Sequence, residues 1–250
     1  MSESRYDEWQ PAPDLRATIA CTWIGRVGTS GAPYTDQVLP DGCMDIIWDG
    51  SRVFVAGPDT GPVPLQPPPG ATYVGIRFHP GRAPLALGCP SSALRDQRAD
   101  LTELWGASAV RETIDRLAGA TAPQAMRLLQ SAVRSRMATA EPADRLIDGL
   151  VRSLAAPAAP GPGHIAALAA HLGVTERSLH RRCTAAVGYS PKTLDRVLRF
   201  QRALNLGRSG AASSLGTLAF ASGYADQAHF SRECRRLAGQ TPSELFKTAG

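Results

Sequence analysis

Two stretches near the end of the chain carry the same pattern of residues, 51 positions apart. Each has Leu or Phe, then Arg, Cys, Gly, Ser or Thr, and Pro at identical spacing, from Leu179 to Pro191 and from Phe230 to Pro242. Agreement at six positions indicates one structural unit present twice. The polar residues around both copies are mainly Arg, His, Gln and Ser, which can reach base edges in the major groove of DNA. Their chemistry is hydrogen bonding to bases.

Each copy follows the elements that a helix-turn-helix requires: a short amphipathic helix, a turn with glycine, and a second helix that begins on polar residues. In the first copy Gly173 supplies the turn and Thr175 is suited to be the N-cap. In the second copy Gly223 supplies the turn, which is one residue longer, and Asp226 or Ala225 begins the helix. The apolar stripes of the two first helices are Ile165, Leu168, Ala169 and Leu172, and Leu215, Leu218 and Ala219.

Helical spacing predicts which side chains of the second helices face outward. With Leu179 and Cys183 in the core, the solvent-facing residues of the first copy are Arg177, His180, Arg181 and Thr184. The matching residues of the second copy are Ala228, Ser231, Arg232 and Arg235, with Gln227 and His229 beside them. An isolated basic helix of this kind is more often only a solvated face, but two on one scaffold favour DNA reading.

One helix, from Lys192 to Gly207, is predicted between the copies. Its apolar positions face inward, and Arg196, Arg199 and Arg202 are predicted to be more exposed. A helix of this length can hold the modules about one DNA turn apart, roughly 34 Å, so that both recognition helices enter successive major grooves.

The positive charge of the chain lies at this end. Residues 161–250 hold twelve basic and five acidic side chains, a net charge of +7, whereas residues 1–160 carry a net charge of −2. Such an asymmetry is expected if only one end meets a polyanion. No apolar run approaches the roughly 18 residues that a membrane span needs, and the start, MSESRYDE, does not resemble a secretory signal. We expect a cytoplasmic protein with no membrane partner.

The upstream part predicts an α+β protein. Four short β-branched and aromatic runs predict a β-rich domain over residues 1–99, a small sandwich or a barrel of the cupin-like kind. These runs are Ala20 to Gly25, Met44 to Trp48, Val53 to Ala56 and Tyr73 to Phe78. Helical periodicity over residues 100–154 predicts two or three helices that could serve dimerisation. The stretch AAPAAPGPG at 155–163 predicts a linker, and residues 164–250 are the all-α tandem helix-turn-helix domain.

The five cysteines are Cys21, Cys43, Cys89, Cys183 and Cys234, an odd number with no C-x-x-C pair. They indicate free thiols, with neither a disulfide framework nor a zinc site. His79 is the only histidine before the linker, which argues against a multi-histidine metal site. Common hydrolase, metalloprotease and nucleotide-binding motifs do not occur. We therefore predict no enzyme activity, no metal and no cofactor.

A small-molecule site in the first domain would draw on aromatic side chains with a few polar groups. The candidates are Trp23, Asp45, Trp48, Tyr73, Arg77 and His79. Each has a simpler interpretation, since aromatic residues on short strands usually belong to the core and Arg77 alternates with Ile76 and Phe78 as an outer-face residue would.

In the region of the two C-terminal repeats the chain resembles the AraC/XylS family of transcription regulators. The resemblance rests on "LGVTERSLHRRCTAAVGYSPKTL" and "GYADQAHFSRECRRLAGQTPSEL" and covers His164 to Lys247. Cys183 and Cys234 depart from it, because the family usually has phenylalanine there. The segments "LPDGCMDIIWDG" and "GIRFHPGRAPLALGCPSSALRDQRADLTELWG" resemble an N-terminal domain of one branch of the family.

The resemblance implies base contacts at six positions: Arg177, His180, Arg181, Gln227, Ser231 and Arg232. It leaves Arg182, Lys192 and Arg199 as phosphate contacts or scaffold. It further implies a sequence-specific regulator, an activator on family grounds, that binds double-stranded DNA and is modulated through the first domain by a small-molecule effector or by homodimerisation. RNA polymerase is a possible partner.

Two alternatives stay open at this point. One is a thiol-based redox sensor on the same DNA-binding unit, which would use Cys21, Cys43 and Cys89. The other is a small-molecule carrier or enzyme that is only localised by a basic tail.

Overall fold

The computed structural model describes residues 4–29, 36–156, 163–210, 212 and 214–246, and it has an α+β fold. Its strands are β1 (Arg5–Trp9), β2 (Ile19–Arg26), β3 (Asp36–Val38), β4 (Asp45–Trp48), β5 (Val53–Ala56), β6 (Val63–Leu65), β7 (Thr72–Phe78) and β8 (Arg98–Asp100). Its helices are α1 (Ala83–Leu87), α2 (Leu101–Trp105), α3 (Ala107–Ala118), α4 (Ala122–Met137), α5 (Arg145–Ala155), α6 (His164–His171), α7 (Glu176–Val187), α8 (Pro191–Arg208), α9 (Leu215–Ala221), α10 (Gln227–Ala238) and α11 (Pro242–Leu245). Short 3₁₀ turns occupy Pro13–Leu15 and Ser91–Leu94.

Six strands form one antiparallel sheet in the order β1-β2-β7-β4-β5-β8, and β3 pairs with β6 in a separate two-stranded ribbon. The four β runs expected from the sequence are β2, β4, β5 and β7, which occupy the middle of the sheet. The prediction of a β-rich N-terminal domain is thereby confirmed. Alternation along the strands gives the sheet two different faces, as it must when successive side chains point to opposite sides.

One face of the sheet carries the main core. Ile46, Val55 and Ile76 are fully buried there and belong to one apolar cluster with Leu129 and Val133 of α4. Trp105, the last residue of α2, belongs to the same cluster, and its indole N–H donates to the carbonyl of Ala86 at 3.0 Å. Burial of these side chains, at about 25 cal/mol per Å² of apolar area, is the main force that holds the helices on the sheet.

Helix α5 packs with the C-terminal helices. Its residues Ile147, Leu150 and Leu154 are buried in one cluster with Leu168 of α6 and Leu179 of α7. The C-terminal core therefore begins ahead of the predicted linker at 155–163, most of which, residues 157–162, lies outside the described residues. The domain boundaries themselves stay predictions.

None of the helices within the described ranges is both long enough and apolar enough to cross a bilayer.

Candidate DNA-binding surface

The first helix-turn-helix module consists of α6 and α7. Gly173, two residues after the end of α6, has φ of +70°, a backbone conformation that costs glycine little. The hydroxyl of Thr175 then accepts from the amide of Ser178 at 3.2 Å, so Thr175 is the N-cap of α7 as predicted. Leu179 and Cys183 are completely buried, which fixes the rotation of α7 about its axis.

The second module consists of α9 and α10 and repeats this arrangement. Gly223 has φ of +87° at the turn. Of the two predicted first residues, the structure selects Asp226, whose carboxylate accepts from the amide of His229 at 2.6 Å. Phe230 and Cys234 are completely buried, at the positions that match Leu179 and Cys183. The two modules are therefore built on the same internal contacts.

Burial explains what the two cysteines do in place of phenylalanine. Desolvation raises the pKa of both the Cys183 and the Cys234 thiol to about 12. The thiols are therefore neutral at physiological pH and act as small apolar groups in the two module cores.

The outward faces of α7 and α10 carry most of the predicted base-contacting residues. Arg177, His180 and Arg181 are exposed on α7, and Gln227 and Arg232 are exposed on α10. Lys192, at the start of α8, is exposed as well. Ser231 is half-buried, and its hydroxyl donates to the carbonyl of Gln227 at 2.9 Å, so only its lone pairs face away from the helix.

Arg182 has a different environment from its neighbours. Its guanidinium forms a two-pronged ion pair with Asp144, which also accepts from the amide of Leu146 as the N-cap of α5. Partial burial tends to raise the pKa of Asp144, but the hydrogen bonds from Arg182 and from the start of α5 outweigh it and hold the pKa below its usual value. Of the two interpretations of Arg182, the structure thus supports the scaffold one. Its partner Asp144 had no signal in the sequence.

The prediction that Arg196, Arg199 and Arg202 are more exposed than the apolar positions of α8 is wrong for Arg199, and the other two are only half-buried. Arg196 pairs with Glu233 of α10 at 2.8 Å, and its side chain is only 22% exposed. Arg199 is buried, pairs with Asp195 one turn earlier, and lies 5.5 Å from the ring centre of Tyr224. Helical spacing alone could not show this, because the second module covers a side of α8 that would otherwise be solvated.

Arg202, on α8, connects the ends of two other helices. Its guanidinium donates to the carbonyls of Leu154, Ala155 and Ala156 at the end of α5, and to that of Ser222 after α9 at 3.2 Å. The final carbonyls of a helix have no partner within it, and a cation also complements the negative end of the helix dipole. Arg202 is therefore a structural cap that joins α8 and the second module to α5.

The six candidates for a ligand site divide into two groups. Trp23, Asp45, Tyr73 and Arg77 lie on the sheet face opposite the main core, where Trp23 packs with Cys21 and Ile47. The Trp23 ring packs against Gly75, where an added Cβ would come within 2.1 Å of it. Trp48 is instead buried in the main core, and His79 is exposed beyond the end of β7 with its Nε2 3.2 Å from the Arg16 carbonyl. The structure therefore places Trp48 and His79 away from the other four.

Arg77 is surrounded by three carboxylates, those of Glu8 at 3.4 Å, Asp41 at 3.5 Å and Asp45 at 3.2 Å. Burial raises the pKa of Asp45 to about 6, with Asp41 adding to the rise and Arg77 opposing it. Glu8 and Asp41 were not among the candidates, because only the register of β1 beside β2 and the path of the 39–44 loop bring them to this strand.

We expect Asp45→Asn to change how stability depends on pH. A carboxyl whose pKa is raised in the folded state stabilises the fold while protonated, and this stability is lost as the pH rises from about 4 through 6. The wild type should therefore lose about 2 kcal/mol relative to the variant between pH 4 and pH 7. Urea unfolding at several pH values measures this difference in the free energy of unfolding. If the free energy depends on pH in the same way in both proteins, Asp45 is not a buried carboxyl with a raised pKa.

Comparisons with known proteins agree with this geometry. Residues 168–248 match a family described as a helix-turn-helix domain, and residues 7–100 match a domain of unknown function (DUF6597). No curated protein matches the chain.

Several solved structures are similar. A probable AraC family transcriptional regulator from Rhodopseudomonas palustris CGA009 is 26% identical, with a TM-score of 0.37, over 42% of this chain and 98% of that one. ToxT from Vibrio cholerae O395 is 11% identical, with a TM-score of 0.48, over 90% and 96% of the two chains. ToxT bound to (E)-4-(8-methylnaphthalen-1-yl)but-3-enoic acid is 13% identical, with a TM-score of 0.47, over the whole of both chains.

Two modules with capped second helices and exposed polar faces define a helix-turn-helix DNA-binding protein. The C-terminal part of the chain is thus a helix-turn-helix domain of the AraC type, and the chain is a DNA-binding transcription regulator.

Proposed function

We propose that one chain reads an asymmetric promoter site through both recognition helices. The observation that carries this is the pair of exposed polar faces on α7 and α10, joined by the single helix α8 of 18 residues. At 1.5 Å per residue α8 is about 27 Å long, a length comparable with the roughly 34 Å between successive major grooves. The first face offers Arg177, His180 and Arg181, whereas the second offers Gln227, Ser231 and Arg232. Two different faces favour two different half-sites over a palindrome.

Arg181→Ala and Arg232→Ala should each cost about 1–3 kcal/mol at the cognate site and relax base preference there. Lys192→Ala, on an exposed residue at the start of α8, is the matched control and should weaken binding to all sequences alike. Titrations of each variant against a selected duplex and a scrambled one measure this. Equal losses on both duplexes for the arginine variants would show that these side chains contact only the backbone.

For regulation, the sheet face with Trp23, Asp45, Tyr73 and Arg77 is the proposed effector site. Aromatic walls beside a few charged groups are usual in small-molecule pockets. The loop that carries Asp41 also contacts α8, because the side-chain amide of Gln201 donates to the Pro40 carbonyl at 2.7 Å. A ligand that displaces Asp41 from Arg77 would therefore act on the helix between the modules.

Activation of transcription, a contact with RNA polymerase and homodimerisation belong to the same proposal.

The redox alternative is less well supported. Burial raises the pKa of Cys21 to about 12, raises that of Cys43 well above its usual value, and raises that of Cys89. Oxidation proceeds through the thiolate, so three protonated thiols are poor sensors. The carrier or enzyme alternative has no observation in its favour, and the proposal is of a regulator without catalytic activity.

A further inference from the structure

Both recognition helices are held at their C-terminal ends by the N-terminal domain. The hydroxyl of Ser91 donates to the carbonyl of Ala186 at 2.7 Å, near the end of α7. The side-chain amide of Gln37 donates to the carbonyl of Ala238 at 2.8 Å, the last residue of α10. The last carbonyls of a helix have no partner within it, so these donors satisfy groups that the helices cannot satisfy themselves.

One short segment packs against both helix ends. Gly188, just after α7, lies so close to Pro58 that an added Cβ would be 2.4 Å from the Pro58 ring. Gly239, just after α10, lies against Pro62 at 3.8 Å by the same measure. Gln37 is on β3, directly opposite Pro64 of β6. We use the name bracket for residues 57–65, strand β3 and Ser91.

The bracket is firmly attached to the rest of its domain. Asp59 is buried and forms a two-pronged ion pair with Arg98 at 2.7 and 2.9 Å. The amide and hydroxyl of Thr60 both donate to Asp96, at 2.7 and 3.0 Å. Such bonds fix both the position and the angle of the segment. The two helix ends therefore contact a support with little freedom of its own.

The bracket leaves the DNA-reading faces open. Arg177, His180 and Arg181 lie on the exposed first turns of α7, and Gln227 lies at the exposed start of α10, whereas the bracket contacts only the last turns. Within the described ranges no hydrogen bond or ion pair joins these four side chains to the N-terminal domain. The domain thus holds the helices from behind and does not cover them.

We propose that the bracket sets the separation and orientation of the two recognition helices, with Gln37 and Ser91 as its positioning residues. This rests on the proposed two-half-site reading of DNA. Without the bracket the relation of the modules would be fixed only from within the C-terminal helices, by α8, its packing, and the bonds of Arg202 to the ends of α5 and α9. With it, the N-terminal domain determines which half-site spacing the protein accepts, and any change in that domain that moves the bracket alters the spacing.

The test is selection of sites from a random-sequence duplex library with the full chain, followed by titration of the selected site with one or two base pairs inserted between its halves. The wild type should select two submotifs at one spacing and lose binding sharply on insertion. The double variant Gln37→Ala, Ser91→Ala should select the same submotifs at several spacings. Its affinity for the original site should fall about tenfold, since each hydrogen bond contributes roughly a two- to tenfold factor.

Gln130→Ala and Ser51→Ala are the matched controls. Gln130 accepts from the amide of Ala12 and Ser51 donates to Asp49, both inside the N-terminal domain and away from the bracket. These variants should keep the wild-type spacing. If the double variant fails to unfold cooperatively, each single variant serves in its place, with about a threefold loss.

An unchanged spacing preference in folded bracket variants would overturn the inference. Selection of no motif at all by the wild type would instead refute the proposed DNA reading, so the two failures are distinguishable.

Discussion

Gly57→Ala should destabilise the protein by more than about 4 kcal/mol, a loss of the size that a severe backbone clash causes. A Cβ at Gly57 would lie 1.6 Å from the carbonyl oxygen of Leu94 and 2.7 Å from its carbonyl carbon. Both are backbone atoms, so no rotamer change can relieve the contact. The amide of Gly57 also donates to the Gln97 carbonyl at 2.9 Å, which holds the two segments together. Relief requires the separation of β5 from the 94–98 segment.

Gly61→Ala is the matched control in the same loop, because an added Cβ there meets nothing within 4 Å. It should change the free energy of unfolding by no more than about 0.5 kcal/mol. Urea unfolding of both variants measures the difference. Since Gly57 begins the bracket, the variant should also bind the selected DNA site more weakly at temperatures where it remains folded. Similar midpoints for the two variants would show that the 94–98 segment adjusts freely.

Asp195→Ala should cost about 3–5 kcal/mol, the loss expected when one partner of a buried ion pair is removed. The side chains of Arg199 and Asp195 are only 10% and 16% exposed. Without Asp195 the guanidinium of Arg199 would stay buried without its carboxylate partner, and its contact with the Tyr224 ring contributes only about 1 kcal/mol. The second module should therefore loosen against α8, and binding at the second half-site should weaken first.

The double variant Asp195→Ala, Arg199→Met separates the lost pair from the buried charge. Methionine fills the same space without a charge, so the double variant should recover much of the stability that the single variant loses. Thermal unfolding of the wild type, Asp195→Ala, Arg199→Met and the double variant gives the four stabilities of a double-mutant cycle. If the effects of the two substitutions simply add, the pair does not interact in the way its geometry indicates.

The sequence was most informative where one element determines its own structure. The helix expected at Lys192 to Gly207 is α8, Pro191–Arg208, and Thr175 is the cap that the pattern required. Four of the strands were also foreseen, because β2, β4, β5 and β7 have buried apolar runs. The strands β1, β3, β6 and β8 were not, since they are short or exposed and depend on pairing with a neighbour.

The candidate sites separate in the same way. Exposure of Arg177, Arg181 and Arg232 followed from helical spacing, since α7 and α10 each bury only one side. The positions of Arg182 and Arg202 did not follow, because their partners lie on other helices. The burial of Arg199 did not follow either, because Tyr224 of the second module lies over it. The ligand candidates show the same limit: strand alternation gave Arg77 its outward face, but only strand register placed Glu8 beside it.

The repeat at Leu179 and Phe230 was thus determined by the sequence alone, because helix caps, glycine turns and apolar spacing act within a dozen residues. Only the tertiary structure decided that Ser91 and Gln37, residues of the N-terminal domain, hold the last carbonyls of the two recognition helices. The first contact joins residues that are 95 positions apart in the sequence and the second joins residues 201 positions apart, so neither leaves a periodic pattern in the chain. They form when burial of apolar surface brings the β-rich domain against the helices.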